Sequence, residues 1–514
     1  MNENFKAYLN DELSFDELCL KIGLSKDKTL QEFAKFCSLE CLSLSGDEEI
    51  FLANIPPSLL FKFHFLPIKK QDKLLIARSK PCSFELLEQL KNFTNLKVEQ
   101  VITLELEISR ALSKLSIQEE LNTLSQKLRL EWKQNEKNEE QSFISQIFLF
   151  MLREVLKFNT SDIHIEARNL DALIRYRADG ILREFARLEM DIYEALVLYV
   201  KLMAHLNLAQ TRKAQDGSFE LEFEGQRYDF RISCLPLIKG ESVVVRILKH
   251  DKEILELEKL NFGEKNLHTL KKTLKNPYGM ILLTGPTGSG KSTTLYACLN
   301  ELKSIEKKII SAEDPVEYKM PLIQQISLNS KAGVEFNNVL RAILRQDPDI
   351  IMIGEIRDEE SLDIALKASL TGHLLLSTLH TNDAFSTIDR LLDMKAKPYL
   401  IASSLSLVIA QRLVRKLCPY CKQKTLLNQG EFKGEFFKAV GCKACNHSGY
   451  LGRELVAECL KIDEKIAQSI RENRGKNELE NLARQNGFES MFELGLYKAR
   501  QGITSIDEIL RVLR

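Results

Sequence analysis

Eight consecutive residues, Gly285-Pro286-Thr287-Gly288-Ser289-Gly290-Lys291-Ser292, have the types and spacing of a phosphate cradle. A glycine, four residues, then Gly-Lys-Ser is the P-loop pattern. The glycines let successive backbone N–H groups turn inward around phosphate oxygens, in conformations that a Cβ would obstruct. Lys291 can reach the β- and γ-phosphates as a point charge, and the Ser292 hydroxyl can be offered to Mg²⁺. A helix expected from Ser292 to about Leu302, with Thr293 in its first turn, adds its positive dipole end. These residues imply binding of a nucleoside triphosphate.

Three further segments carry polar groups just beyond apolar runs. Ile310–Tyr318 places Glu313 and Asp314 after a run of apolar residues, and Asp349–Asp358 does the same for Gly354 and Glu355. One such carboxylate can hold Mg²⁺ or its waters, and another can orient an attacking water. Leu376–Asp383 ends in hydroxyls, His380 and Asn382, which could sense a γ-phosphate by hydrogen bonding; a lone histidine there can equally be structural.

The elements that must bring these groups together are strands over Met280–Thr284, Lys308–Ala312, Ile350–Gly354 and Leu374–Leu379, alternating with helical stretches. Near-continuous apolar runs of this length suit a parallel sheet covered on both faces. Ligands of open α/β sheets bind at the carboxyl ends of the strands, so the acidic residues should converge on the P-loop. From about Ile462 the chain reads as mostly helical.

Cys418-Pro-Tyr-Cys421 and Cys442-Lys-Ala-Cys445 are two C-x-x-C pairs separated by twenty residues. That spacing fits a structural four-cysteine zinc site, in which the thiolates close the coordination shell and leave no catalytic position. The other seven cysteines are scattered singly and make no disulfide framework.

Upstream, residues 141–248 read as a helix followed by strands, with hairpin signals at Asp179-Gly180, Asp216-Gly217 and Glu224-Gly225. In Arg227–Ser233 the period is two, with Tyr228, Phe230 and Ile232 on one face and Asp229, Arg231 and Ser233 on the other. Arg231 and Arg246, the latter in Val243–Leu248, are cations of the kind phosphoryl transfer needs, although bare arginines on a sheet more often face solvent or a carboxylate. Nearer the start, Leu74–Ala77 reads as a strand and Ser83–Phe93 as an amphipathic helix. The charge-rich stretch from about Ser116 to Gln141, with Leu121, Leu124 and Leu128 spaced along it, reads as a helix fading into a linker or as an ordinary solvated helix inside one domain; a second linker is expected over about Asp251–Leu260.

The chain has 514 residues, enough for roughly three domains. Lysine plus arginine equals aspartate plus glutamate at 72 each, so no global attraction to nucleic acid or anionic lipid is expected. No run of 18 apolar residues and no signal-peptide pattern occurs, so membrane association is expected only through a partner.

In this order the motifs resemble the assembly ATPases of bacterial type II secretion systems and type IV pili. The resemblance covers residues 141–514: Ser161-Asp-Ile-His-Ile-Glu166, Arg175-Tyr-Arg-Ala-Asp-Gly180, Gln215-Asp-Gly217, Gly240-Glu241, the P-loop, the acidic box Glu313–Tyr318, Arg345–Asp349 leading into the Walker B strand, Gly372-His373, the cysteine pairs and Gly449–Arg453. It implies an α/β chain: an N-terminal α+β docking domain (1–110), a charged helical linker (111–140), a small α+β, PAS-like domain (141–250) and a RecA-like motor domain (260–514) that includes the zinc module (415–453). It implies ATP, Mg²⁺ and Zn²⁺, a homo-hexameric ring, Glu313 as the water-orienting residue and Glu355 as the Walker B carboxylate near Mg²⁺. His380 would couple nucleotide state to movement, and Arg231 and Arg246 would be arginine fingers from the smaller domain. By the same resemblance the N-terminal domain docks on a membrane-anchored partner, placing a cytoplasmic chain at the inner membrane beside a membrane platform. The Arg-Leu-Gly pattern by which some relatives bind cyclic di-GMP there is absent. Glu454–Cys459 departs from the family's usual Gly-aliphatic-aromatic run. A retraction motor of the same superfamily is the nearest alternative, although such motors generally lack the cysteine module and the long N-terminal region. A nucleic-acid translocase is more remote, and no direct nucleic-acid partner is expected.

Overall fold

The computed structural model describes the chain except residues 45–49, 53–54, 135–141, 159, 250–255, 329–335 and 430–431. Two compact units are present, the first mainly Met1–Leu221 and Asp229–Leu248, the second mainly Lys249–Val440 and Ser448–Arg514. Parts of both expected linkers, 135–140 and 251–255, lie outside the described residues.

The second unit is organised by a seven-stranded sheet in the order Ile323–Ser327, Ile309–Glu313, Ile350–Ile353, Leu374–Leu379, Gly279–Thr284, Leu405–Leu417, Tyr450–Lys461. Neighbouring strands are parallel except the last pair. Along the P-loop strand, Met280 and Leu282 pack into one core, and Ile281 and Leu283 into another. Successive strand residues point to opposite faces, so a strand covered on both sides must be apolar throughout, which is why it reads as an unbroken run. Each such side chain contributes about 1.5–3 kcal/mol when fully buried. Two of the helices that follow sheet strands start at side-chain caps: Asp358 accepts from the Ser361 N–H and Asp383 from the Ser386 N–H. Four helices close the chain after Ile462, among the described residues.

Two long strands, Leu405–Leu417 and Tyr450–Lys461, extend the sheet beyond the four strands expected from apolar runs. Both carry charged or amide residues that end their apolar pattern, among them Gln411, Glu454 and Glu458, yet all three are buried. The atypical Glu454–Cys459 stretch is therefore strand, paired residue by residue with Ile409–Val414.

In the first unit a six-stranded sheet runs in the order Ile181–Leu188, Ala172–Ala178, Thr160–Ala167, Glu241–Lys249, Gln226–Pro236, Gln215–Phe223. Asp179-Gly180 and Glu224-Gly225 are hairpin turns, with φ of 48° and 82°, and 51° and 75°. Asp216-Gly217 is not a turn; it lies inside the strand Gln215–Phe223. A Cβ on Gly217 would stand 2.6 Å from the Ala204 carbonyl oxygen and 2.8 Å from Leu206 Cδ2, so this glycine serves close packing. Gly240 is fixed similarly, since a Cβ would fall 2.7 Å from Tyr193 Oη. Beside it Glu241 forms a buried ion pair with Lys201, whose Nζ also donates to the Gln210 carbonyl at 2.9 Å.

A four-stranded sheet, ordered Glu40–Cys41, Lys97–Ile102, Lys73–Arg78, Leu66–Lys70, lies nearer the start, with the helix Phe84–Phe93 capped by Ser83. One helix, Glu105–Gln134, runs unbroken across the 110/111 boundary expected above. Its Ile108, Leu112, Leu121, Leu124 and Leu128 are buried, so most of this segment is packed helix and not solvated linker.

Candidate functional site

The P-loop follows directly from the central strand Gly279–Thr284. Gly285, Gly288 and Gly290 have φ of 149°, 79° and 88°, which favours glycine at each. A Cβ on Gly285 would stand 2.5 Å from the Gln411 carbonyl oxygen and 2.6 Å from Ser289 Oγ. Pro286, Thr287 and Gly288 are exposed at the tip, whereas Ser289 is buried with no hydrogen-bond partner for its hydroxyl. Lys291 opens the helix Lys291–Leu302 and folds its ammonium back onto the loop, donating to the carbonyls of Gly285 (2.7 Å) and Pro286 (3.1 Å). Burial lowers the Lys291 ammonium from its ordinary value, and the charge of Glu355 opposes that shift. Ser292 and Thr293 stand next in the first turn. Backbone N–H groups, an unpartnered hydroxyl and an ammonium turned onto the loop form a donor set that fits phosphate oxygens, with Ser292 available to Mg²⁺.

Glu313 ends the strand Ile309–Glu313 and is 4% exposed. Its carboxylate accepts from Ser311 Oγ (2.6 Å), Gln325 Nε2 (3.1 Å) and the Tyr296 hydroxyl. Tyr296 lies on the helix that follows the P-loop, and its oxygen also accepts from the Glu317 and Tyr318 amides at 3.1 and 3.3 Å. Burial first, and then Glu313, push the Tyr296 hydroxyl far above its ordinary value, so it stays a donor to the carboxylate.

Glu355, two residues beyond the strand Ile350–Ile353, has its side chain 26% exposed. His380 Nε2 stands 3.2 Å from one oxygen, and Arg357 Nε donates to the other at 3.0 Å. Arg357 also reaches Asp314 at 3.4 Å, so one guanidinium links the two acidic strand ends. Thr381, next to His380, bonds the last residue of the P-loop strand: its N–H donates to Thr284 Oγ1 at 2.9 Å, and the two hydroxyls are 2.5 Å apart. The fold thus gathers Lys291, Glu355 and His380 at one set of strand ends. Tyr296 and Gln325 carry no motif signal, and no sequence pattern singles them out; Thr381 is one of the hydroxyls expected beyond the fourth strand.

Arg231 and Arg246 belong to the first unit. Arg246 Nε donates to Asp162 at 3.0 Å and its side chain is 58% exposed; Arg231 Nε stands 3.9 Å from Asp229.

The sulfurs of Cys418, Cys421, Cys442 and Cys445 lie within 4.8 Å of one another. The Cys442 N–H donates to Cys445 Sγ at 3.2 Å. Four converging thiols with an amide donor to sulfur form a set that fits a tetrahedral Zn²⁺.

Fold and site together define a RecA-like P-loop ATPase. The family model described as type II/IV secretion system protein matches residues 136–511, and the chain belongs to that family. A model of the MshEN domain matches residues 39–121. The type II secretion system protein HxcR of Pseudomonas aeruginosa is 46% identical over 364 residues, covering 71% of this chain and 76% of that protein. The type IV pilus assembly ATPase PilB of Myxococcus xanthus is 35% identical over 520 residues, covering 96% and 92%. The crystal structure of the pilus retraction motor PilT with bound ADP superposes with a TM-score of 0.50 at 27% identity, covering 71% of this chain and 96% of that one. The chain is accordingly an ATP hydrolase of the type II secretion and type IV pilus group. Among the described residues no helix is long and apolar enough to cross a membrane.

Proposed function

We propose that this chain is the cytoplasmic motor of a type II secretion or type IV pilus system, working as a homo-hexamer that hydrolyses ATP to drive assembly of pilin-like fibres. The observation that carries the reading is the meeting of Lys291, Glu355 and His380 at the strand ends of a family member's P-loop sheet. Lys291 and the loop amides hold the phosphates, and Ser292 and Glu355 serve the magnesium ion. Glu313 orients the attacking water. His380, bonded to Glu355, carries the nucleotide state into the loop that continues to Asn382. Arg231 and Arg246 supply cations from the smaller α+β region. Mg²⁺ would offset charge on the transferring phosphoryl group, and Zn²⁺ on the four cysteines would be structural.

Assembly is favoured over retraction because the similarity to the Myxococcus assembly ATPase runs over 96% of this chain, including the residues 39–121 that the MshEN domain model matches. The docking role belongs to residues 1–110, which would bind a membrane-anchored protein beside the membrane platform and hold the ring at the inner membrane.

The test is ATP hydrolysis by the purified full-length chain, with its mass measured beside a non-hydrolysable ATP analogue. Measurable turnover and a six-fold mass support the reading; turnover unchanged in Arg231→Ala would remove the arginine assignment. Metal analysis should find one zinc per chain, lost in Cys445→Ser. Recovery of the same inner-membrane protein with and without residues 1–110 would end the docking assignment.

A further inference from the structure

Gln411 and Arg412, adjacent in the strand Leu405–Leu417, carry none of the roles above. That strand pairs with the P-loop strand so that Ala410 stands opposite Thr284, which delivers Gln411 beside the Gly285 turn. Gln411 is 0% exposed, and its Oε1 is buried without a hydrogen-bond partner, so the bond that holds this amide is made through Nε2. Its Nε2 donates to the Ser289 carbonyl at 2.9 Å and would stand 3.3 Å from a Cβ on Gly290. In a planar trans peptide the carbonyl of one residue and the N–H of the next point in opposite directions. Holding the Ser289 carbonyl therefore aims the Gly290 N–H away from Gln411.

Arg412 follows on the opposite side of the strand. Its Nη2 donates to the Asn382 carbonyl (3.0 Å) and side-chain oxygen (3.3 Å), and its Nη1 to the Gln411 carbonyl at 3.1 Å. That Gln411 carbonyl is the atom a Cβ on Gly285 would strike. One dipeptide is thus bonded to the P-loop on one side and, through Asn382, to the loop that holds His380 on the other.

We propose that Gln411 and Arg412 are positioning residues, Gln411 fixing the P-loop amides for phosphate and Arg412 tying the His380–Asn382 loop to that same strand. The inference rests on the roles proposed above for the P-loop and His380. The wild-type ATPase rate tests those roles separately, whereas the two variants below test only the dipeptide.

The full-length chain carrying Gln411→Met, which keeps the length but removes the amide, and Arg412→Lys, which keeps the charge but not the two-pronged contact, would be compared with wild type. The readouts are affinity for a fluorescent ADP analogue, kcat, KM and the melting temperature without nucleotide. Gln411→Met is expected to weaken nucleotide binding about tenfold, the scale of one hydrogen bond to a charged group, with the melting temperature held. Arg412→Lys is expected to leave affinity and KM in place and lower kcat several-fold. Unchanged affinity in Gln411→Met, or unchanged kcat in Arg412→Lys, overturns the corresponding half. A loss of melting temperature in both variants with the kcat-to-KM pattern of wild type reduces the pair to structural support and overturns the whole.

Discussion

Two strand ends of the P-loop unit each present a glutamate, and the surroundings of these side chains differ sharply. Glu313 is enclosed, with donors from its own strand, from Gln325 on the neighbouring strand and from Tyr296 on the P-loop helix. Glu355 is partly open, and its two partners, His380 and Arg357, are themselves exposed side chains. A carboxylate held by three donors keeps one position, because a satisfied buried network is rigid. A carboxylate with exposed partners can exchange them when a metal ion or phosphate arrives. The contrast supports the proposal made above, in which Glu313 has the fixed task of aiming a water and Glu355 the exchangeable task of serving a bound ion. Within each task, geometry and not residue type sets the role.

The largest effect that can break this comparison is on turnover. Glu313→Gln is expected to lower kcat by about 10²–10⁴-fold, the range for a positioned group acting on a proton in the transition state, while nucleotide affinity is retained. Glu355→Gln is expected to raise the Mg²⁺ concentration needed for half-maximal activity as well as lowering kcat. A magnesium titration that shifts for Glu313→Gln and stays put for Glu355→Gln would reverse the two roles.

A smaller effect sharpens the comparison. Tyr296→Phe removes one hydroxyl that serves Glu313 and the amides of Glu317 and Tyr318 together. Losing a hydrogen bond to a charged group is worth about 1.5–3 kcal/mol. Part of that will appear as a kcat lowered about tenfold or more, with affinity for ADP unchanged. A wild-type kcat in Tyr296→Phe would mean that Ser311 and Gln325 suffice to hold the carboxylate.

The two strand ends also differ in how far they can be read without coordinates. The P-loop, both acidic residues and the four central strands are local signals, because a strand buried on both faces must be apolar at every position. Tyr296 and Gln411 are invisible to that logic. Their bonds close over 17 and 122 residues, to Glu313 and Ser289, and neither residue type at its position differs from ordinary helix or strand content. The strand Leu405–Leu417 escapes notice for the same reason, since Gln411 and Arg412 interrupt its apolar run while remaining inside the sheet. Asp216-Gly217 shows the converse error. A dipeptide with turn chemistry lies inside a strand here, and its glycine is kept because Ala204 and Leu206 leave no room for a Cβ. The helix Glu105–Gln134 is charge-rich along its length, but a stripe of five buried apolar side chains, Ile108 to Leu128, keeps it packed.

A third buried glutamate gives the smallest effect and separates enclosure from catalysis. Glu458 lies in the outermost strand of the sheet and accepts from the N–H groups of Ala384 and Met491, both at 2.8 Å and each the first residue of a helix. Those two donors favour the ionised form, yet burial outweighs them and raises the carboxyl to about 7 from its ordinary value of about 4.5. Glu313 thus takes its donors from side chains, and Glu458 from two helix-opening amides. With its folded value above its unfolded one, Glu458 binds its proton more tightly in the native chain. Its contribution to stability is full below about pH 4.5 and is lost as pH rises to about 7. Glu458→Gln removes that slope, but at every pH it turns an amide N–H₂ toward one of the two backbone donors. The variant should therefore melt lower than wild type at pH 5 by a few degrees, and the gap should narrow by pH 8. A gap that widens with pH would show that the two helix amides, and not burial, set the charge of this carboxyl.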